Sequence, residues 1–549
     1  MTEPDPAPAV AAPPAPLHET WEARLPEWQQ WLNRTCENWI FAFIVAMAIR
    51  HFAVEAFRIP TASMEPMLYG DPAFAKSDHV VVDKFLFRFT GPKRWDVTVF
   101  QFPQPEIEGH GGADAVTAWT WDDKRLDVPM LRPLMYRNFV KRAVILPGDV
   151  FYISNGDIYL KQPDGGWKVS RKPEAAQEVI WQEVYRSGAQ AGYLPWNGEG
   201  GTSATATGST VALALAEGGA VRFTQPLRNL YLKPGPFRAR PARQGDDDRD
   251  EADRGFYDAE AEQVELSMTT PLFKYHGRTG NAWELDRWAI SRLTSADLDN
   301  GSHGTLLNKS MNEFIGDVRL RGTLAALAGS VTFRLDQGDV HAYAFTVTAD
   351  GWSVSGDGKE LKSGKAAMSG ARLVFAHLDN QIFARINGDE VVRVDVEPVD
   401  SAKRLALSWS GAGSATFSEL ALDRDVHYTS SGFLRDDTRI YKSQVKVLES
   451  ENRQTEELDS AATMKRNIQG VRAQMLGKAV DELTPAQLSG PLGTSAASAI
   501  TAPPGAYLMM GDNSPLSWDG RSWGWVPKEN LRGRVLAVIL PFSRWRLVR

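Results

Sequence analysis

A single cysteine, Cys36, in 549 residues excludes an intramolecular disulfide framework and any cysteine-based zinc site. Positive charge is short as well. With 61 Lys and Arg against 68 Asp and Glu, the formal net charge is −7 and the pI is near 5.8, which argues against a general nucleic-acid binder. The first twenty residues, MTEPDPAPAVAAPPAPLHET, hold no Lys or Arg. They are therefore not the charged start of a cleavable signal peptide, and their Pro/Ala richness without periodicity predicts disorder. No long apolar run follows: WIFAFIVAMAI, Trp39 to Ile49, is 11 residues, against the roughly 18–20 of a clean bilayer span. There is no tandem repeat, and none of the nine histidines lies in a setting that suggests a catalytic triad.

What is present reads as a globular protein with a real core. Hydrophobic residues make up 43% and charged residues 23%, ordinary values, and the length predicts about two to four domains. Trp21, Trp28 and Trp31 precede the short apolar run as interfacial aromatics would, and Arg50 and Glu55 stand near its far end, where long side chains snorkel. These features predict a membrane helix over 36–57 after a disordered or interfacial segment 1–35; a buried amphipathic helix is the alternative.

From Val80 the text becomes strand-like (HVVVDKFLF, DVTVFQF, NFVKRAVIL, DVFYISNGDIYL), with Pro, Gly and Asp as punctuation. A β domain is expected over 58–161, a linker over 162–204, and an inserted β-sandwich over 205–430. In the insert, Asn387-Gly388 is a type I′ hairpin signal with alternation on both sides. A charged, helix-prone and then flexible return fills 431–505, and a Trp- and Gly-rich block, 506–549, closes a packed domain. The acidic GDDDRDEADR, 245–254, lacks the Gly and terminal Glu of an EF-hand loop and reads as a solvated loop.

The turn FRIPTASMEP, Phe57 to Pro66, sets a hydroxyl-rich, proline-bounded segment just after the apolar run. Ser63 there is a nucleophile only if a neighbouring base takes its proton. Without a suitable histidine, the remaining common base is a lysine kept neutral by apolar surroundings. Lys141, in NFVKRAVILPGD, is flanked by Phe139, Val140, Ala143, Val144 and Ile145. Taken alone it also fits an ordinary strand lysine facing solvent beside Arg142.

Together, FRIPTASMEPML, SDHVVVDKF, NFVKRAVILPGD and GDNSPLSWDGRSWGWVPKENLRGR resemble, in order, the motif boxes of type I signal peptidases. The resemblance covers about 39–161 and 506–549. It implies a membrane-anchored, mainly β catalytic domain split by an insertion, with Ser63 as nucleophile and Lys141 as general base of a Ser–Lys dyad. Thr61 would join the Ser63 backbone N–H in the oxyanion hole, where each donor is commonly worth about 3–4 kcal/mol. By the same resemblance Ser517 orients the lysine amine and Asp519 and Arg521 support its loop, while Asp512 and Asn513 look like packing and turn residues. No metal or cofactor is implied. The implied partners are the lipid bilayer and precursor proteins with small residues at the first and third positions before the cut, and no nucleic acid. The implied location is the cytoplasmic (inner) membrane, single-pass, with the catalytic domain on the periplasmic or outer side.

The chain departs from the family pattern at Ala62 (usually Gly), Trp95 (usually Gly), Gly520 (often Ser) and Ser514-Pro515-Leu516 (often Arg-Asp-Asn). Two other readings stand beside this one. GRSWG, Gly520 to Gly524, formally fits a nucleophile elbow around Ser522, which needs a strand before it and a helix after it. The insert loosely resembles concanavalin- or laminin-G-like modules, so the chain is alternatively an envelope glycan- or protein-binding module carrying an inactive peptidase core.

Overall fold

The computed structural model describes residues 26–59, 62–70, 75, 77–103, 136–189, 194–224, 227, 229, 273–275, 283–285, 313–338, 340–398, 405–430, 479–482, 493–514, 517 and 519–548. The first twenty residues, Thr61, the acidic loop 245–254 and most of the helix-prone stretch 440–485 lie outside them.

The fold is mainly β. One antiparallel sheet of eight strands runs in the order Val54–Arg58, His79–Asp83, Leu531–Leu540, Val97–Pro103, Tyr136–Ile145, Ala506–Met510, Val526–Pro527, with Arg546–Leu547 added to Leu531–Leu540. Both ends of the chain build it. Leu531–Leu540 sits between His79–Asp83 and Val97–Pro103, and Ala506–Met510 pairs with Tyr136–Ile145. The alternation explains the burial: Val80 and Val82 of HVVVD and Val97 and Val99 of DVTVF are all in the core. Met64, Met67 and Leu68, from the turn after the first strand, are buried in the same core. Each such side chain stabilises by about 1.5–3 kcal/mol, so that turn is anchored from its C-terminal side.

The inserted β-sandwich is organised on two 20-residue strands, Val318–Gln337 and Leu405–Arg424, paired antiparallel along their length with two register shifts. Its core is apolar and aromatic: Trp196, Phe333, Phe345, Phe375, Trp409 and Phe417. HAYAFTVT shows the period of two directly, with Tyr343, Phe345 and Val347 turned inward. Asn387 and Gly388 have φ of 54° and 98° and form the two-residue loop between paired Ile386 and Asp389, the positive-φ pair a type I′ turn requires.

Two expectations are corrected. The stretch 162–204, expected as a linker, supplies the strand Trp167–Val169, the helix Glu174–Ile180, and the strands Gln182–Arg186 and Trp196–Glu199, the last two being part of the sandwich sheet. The membrane helix over 36–57 is also not seen as such. The helix spans Glu27–Phe52, and Val54–Arg58 is a sheet strand. At 26 residues it is about 39 Å long, yet no helix among the described residues is long and apolar enough to cross a membrane. The reason is local: Arg34, Glu37 and Arg50 bracket an uncharged stretch too short for a bilayer.

A separate four-stranded sheet, Ile500–Thr501, Val150–Ser154, Asp157–Lys161 and Trp167–Val169 in that order, and the segment that follows it are tied to the sandwich by buried polar contacts. Lys172 Nζ bonds Asp379 Oδ1 at 3.1 Å and Asp425 Oδ2 at 2.7 Å, and Asn380 Nδ2 donates to the Tyr159 hydroxyl at 3.1 Å. Asp157, Asp317 and Asp379 cluster here; the Lys172 ammonium pairs with Asp379 and Asp425, and Asp317 meets His377 Nδ1 at 2.8 Å. Burial pushes Asp379 up to about 6; Lys172 opposes the shift, and Asp425 and Asp317 add to it.

Candidate active site

Ser63 lies in a 3₁₀ turn, Ala62–Met64, that packs against the strand Tyr136–Ile145 carrying Lys141. Both residues are buried, Ser63 at 8% and Lys141 at 2% exposure. The strand has neighbours on both edges, with Lys141 opposite Thr98 on one side and Arg142 opposite Met510 on the other. Successive side chains point to opposite faces, and here both faces are covered, so Lys141 and Arg142 are each withdrawn from water.

Arg142 is matched by Asp512 in a two-pronged pair, Nε to Oδ1 at 2.7 Å and Nη2 to Oδ2 at 2.6 Å, and its Nη1 donates to the Trp95 carbonyl at 2.6 Å. Arg142 and Asp512 are fully buried. Burial works against the guanidinium's charge, but Asp512 holds its pKa above the ordinary range. Such a pair is held by geometry as much as by charge: removing one partner typically costs about 3–5 kcal/mol.

The loop after Ala506–Met510 closes over the turn. The Asn513 N–H donates to the Ser63 carbonyl at 3.1 Å. Gly511 lies against both the Ser63 carbonyl and the Ser517 hydroxyl, leaving no room for a Cβ. Its N–H donates to Asp519 Oδ2 at 3.1 Å. Asp519 caps the one-turn helix Gly520–Trp523 by accepting from the Arg521 N–H and takes two further bonds from the Arg521 guanidinium, at 2.8 and 2.7 Å. Burial works to raise the Asp519 pKa, yet the Arg521 charge and hydrogen bonds, the Lys141 charge and the Gly511 N–H together hold it below the ordinary carboxylate range. The Ser517 hydroxyl is fully buried and has no hydrogen-bond partner among the described residues.

Ser63, Lys141, Asp512, Ser517, Asp519 and Arg521 thus lie in one polar interior, and Thr61 lies outside the described residues. Sequence reasoning missed Arg142, Gly511 and Ser514. Arg142 needed a partner 370 positions away, which no local pattern supplies. Ser514, noted only as a departure, receives the Arg521 guanidinium at its hydroxyl and its carbonyl, at 2.9 and 2.8 Å. Trp95, another departure, takes φ of 73°, the left-handed region in which glycine is the easy residue. At Gly520 a Cβ would come within 2.6 Å of Leu508 Cδ1, so the missing side chain fits its site. Gly520–Trp523 is only four residues long and follows a loop rather than a strand, which removes the context a nucleophile elbow around Ser522 needs.

Ser63 and Lys141 are thus both buried at a sheet built from two distant segments of the chain, and those segments can be compared with known proteins. The signal peptidase family, peptidase S26, matches residues 32–190 and 436–540. A probable signal peptidase I-2 of Synechocystis sp. is 30% identical over 121 residues, 22% of this chain and 42% of that protein. A signal peptidase I of Leptolyngbya laminosa is 26% identical over 117 residues, 21% and 44% of the two chains. The match to such relatives spans about half of their length or less. Among solved structures, alginate lyase AlgAT5 of polysaccharide lyase family 7 overlaps 20% of this chain and 64% of its own at 10% identity with a TM-score of 0.16, too slight an overlap to bear on function. The two matched segments of this chain are those of a signal peptidase of the type I family, and a large insertion separates them.

Proposed function

We propose that the chain is a serine endopeptidase that removes signal peptides from precursor proteins with a Ser63–Lys141 dyad. The observation that carries this reading is the joint burial of Ser63 and Lys141 where the serine turn packs on the lysine strand. In the mechanism, the neutral Lys141 amine takes the Ser63 hydroxyl proton as Oγ attacks the scissile carbonyl. The same proton then passes to the leaving amine, and an acyl-enzyme remains. Lys141 next deprotonates a water that releases the new carboxyl end. In this mechanism the buried Ser517 hydroxyl, which has no partner among the described residues, turns to the amine and orients it, and Thr61 with the Ser63 N–H receives the developing oxyanion. The strand Val54–Arg58, which leads into the serine turn, is the first in the sheet order, and an extended precursor segment adds to such an edge by main-chain hydrogen bonds.

The same proposal sets the enzyme at a lipid surface. Trp39, Phe41, Phe43 and Ile44 of the first helix are exposed, as are Phe85, Leu86 and Phe89 of the helix Phe85–Thr90. The two helices are joined where the N–H groups of Lys84 and Phe85 both donate to the Ala53 carbonyl. Apolar side chains on that scale favour an interfacial position.

The test is a precursor-cleavage assay of the wild type, Ser63→Ala and Lys141→Ala. Both variants are expected to fall to background while keeping the wild-type melting behaviour. Cleavage at the normal rate by either would remove the mechanism.

A further inference from the structure

Arg521 has five N–H donors in its guanidinium, and all five are placed: two on Asp519, two on Ser514, and one, from Nη1, on the Thr429 hydroxyl at 3.1 Å. Thr429 is the only one of these partners outside both segments that match the signal peptidase family. Its neighbour Tyr428 is outside them too. The Tyr428 ring stacks on Trp95 with centroids 6.2 Å apart, its hydroxyl lies 3.5 Å from Asp512 Oδ1, and its N–H donates to the Gly156 carbonyl at 3.0 Å. Tyr428 and Thr429 are both buried. They lie just beyond the long sandwich strand Leu405–Arg424, at the insert's C-terminal edge.

We infer that the insert supplies two positioning residues, Thr429 and Tyr428, that hold the catalytic loop and the lysine strand in register. The inference rests on the Ser63–Lys141 reading. Thr429 fixes Arg521, which fixes Asp519, which receives the Gly511 N–H; Gly511 in turn bears on the Ser63 carbonyl. On the other side, Tyr428 presses on Trp95, whose carbonyl holds Arg142, the residue after Lys141. The departures from the family pattern agree with this. Trp95 offers Tyr428 a ring that glycine lacks, and Ser514 leaves one guanidinium donor for Thr429. Removing the Thr429 hydroxyl strands a buried, charged N–H, a loss that falls on the loop rather than on substrate binding.

The experiment uses the full-length chain, a precursor peptide with Ala at the first and third positions before the cut, and the variants Thr429→Val, Thr429→Ser, Tyr428→Phe and Ser63→Ala. Thr429→Val is expected to lower kcat about tenfold with KM within about twofold. Thr429→Ser, which restores the hydroxyl, returns kcat to within about twofold of wild type. A kcat unchanged in Thr429→Val, or a loss that serine does not repair, overturns the inference while an inactive Ser63→Ala leaves the dyad standing. Ser63→Ala cleaving at the wild-type rate removes the dyad itself. If Thr429→Val does not fold, Tyr428→Phe, which keeps the stacked ring, decides the matter. A fall in kcat of about threefold at constant KM supports the clamp, and an unchanged kcat overturns it.

Discussion

In the sandwich, Trp196, Phe333, Phe345, Phe375, Trp409 and Phe417 meet ring to ring. In the sheet built from the two chain ends, Lys141, Arg142, Asp512, Ser517, Asp519 and Arg521 are just as thoroughly buried. Both bodies are antiparallel β with alternating strands, yet their interiors are held differently. The sandwich interior depends on area removed from water, which many apolar side chains supply nearly as well. The interior around Ser63 depends on each charge having its own partner, which very few substitutions preserve. The same secondary structure therefore serves as a tolerant scaffold in one place and as an exacting polar site in the other.

The sharpest way to break this contrast is Asp512→Ala, which leaves Arg142 buried without its carboxylate. A loss of about 3–5 kcal/mol is expected, with the sandwich still folded at temperatures where the split sheet has melted; differential scanning calorimetry resolving one unshifted transition would check it. Melting of both bodies together would show that they are not separable.

A smaller effect comes from acid. Because the folded Asp519 pKa lies below the ordinary range, the unfolded chain binds that proton first. The stability Asp519 contributes is complete above about pH 4 and is lost as pH falls through its folded value. Tryptophan fluorescence followed downward from pH 5 should show the wild type losing this contribution below about pH 4, and Asp519→Asn should lack that step. An identical acid limb in the two proteins would separate Asp519 from stability. The smallest effect belongs to the sandwich. Leu335→Met, a volume-conserving change at a fully buried sandwich position, should cost less than about 1.5 kcal/mol and leave cleavage unchanged, and a marked fall in activity would make that core part of the site.

Much of the sandwich was legible because its cause is local. The alternation of HAYAFTVT and the Asn387-Gly388 turn each act within a few residues, and both appear in the fold. The stretch 162–204 was misread because its strands are short and pair with partners distant in sequence, as Gln182–Arg186 does with Leu405–Arg424. The helix Glu27–Phe52 was partly legible: its apolar centre was seen, but the charges on either side limit it to less than a span.

The sequence by itself determined the pieces: a serine on a proline-bounded turn, a lysine in an apolar strand, a Gly- and Trp-rich loop, and a long β insert between them. Those are consequences of local pattern and composition. Only the tertiary structure decided which distant groups share a buried interior, such as Arg142 with Asp512 and Arg521 with Thr429. The physical reason is that a buried charge must find its partner wherever the folded chain brings one, and distance along the chain does not enter that requirement.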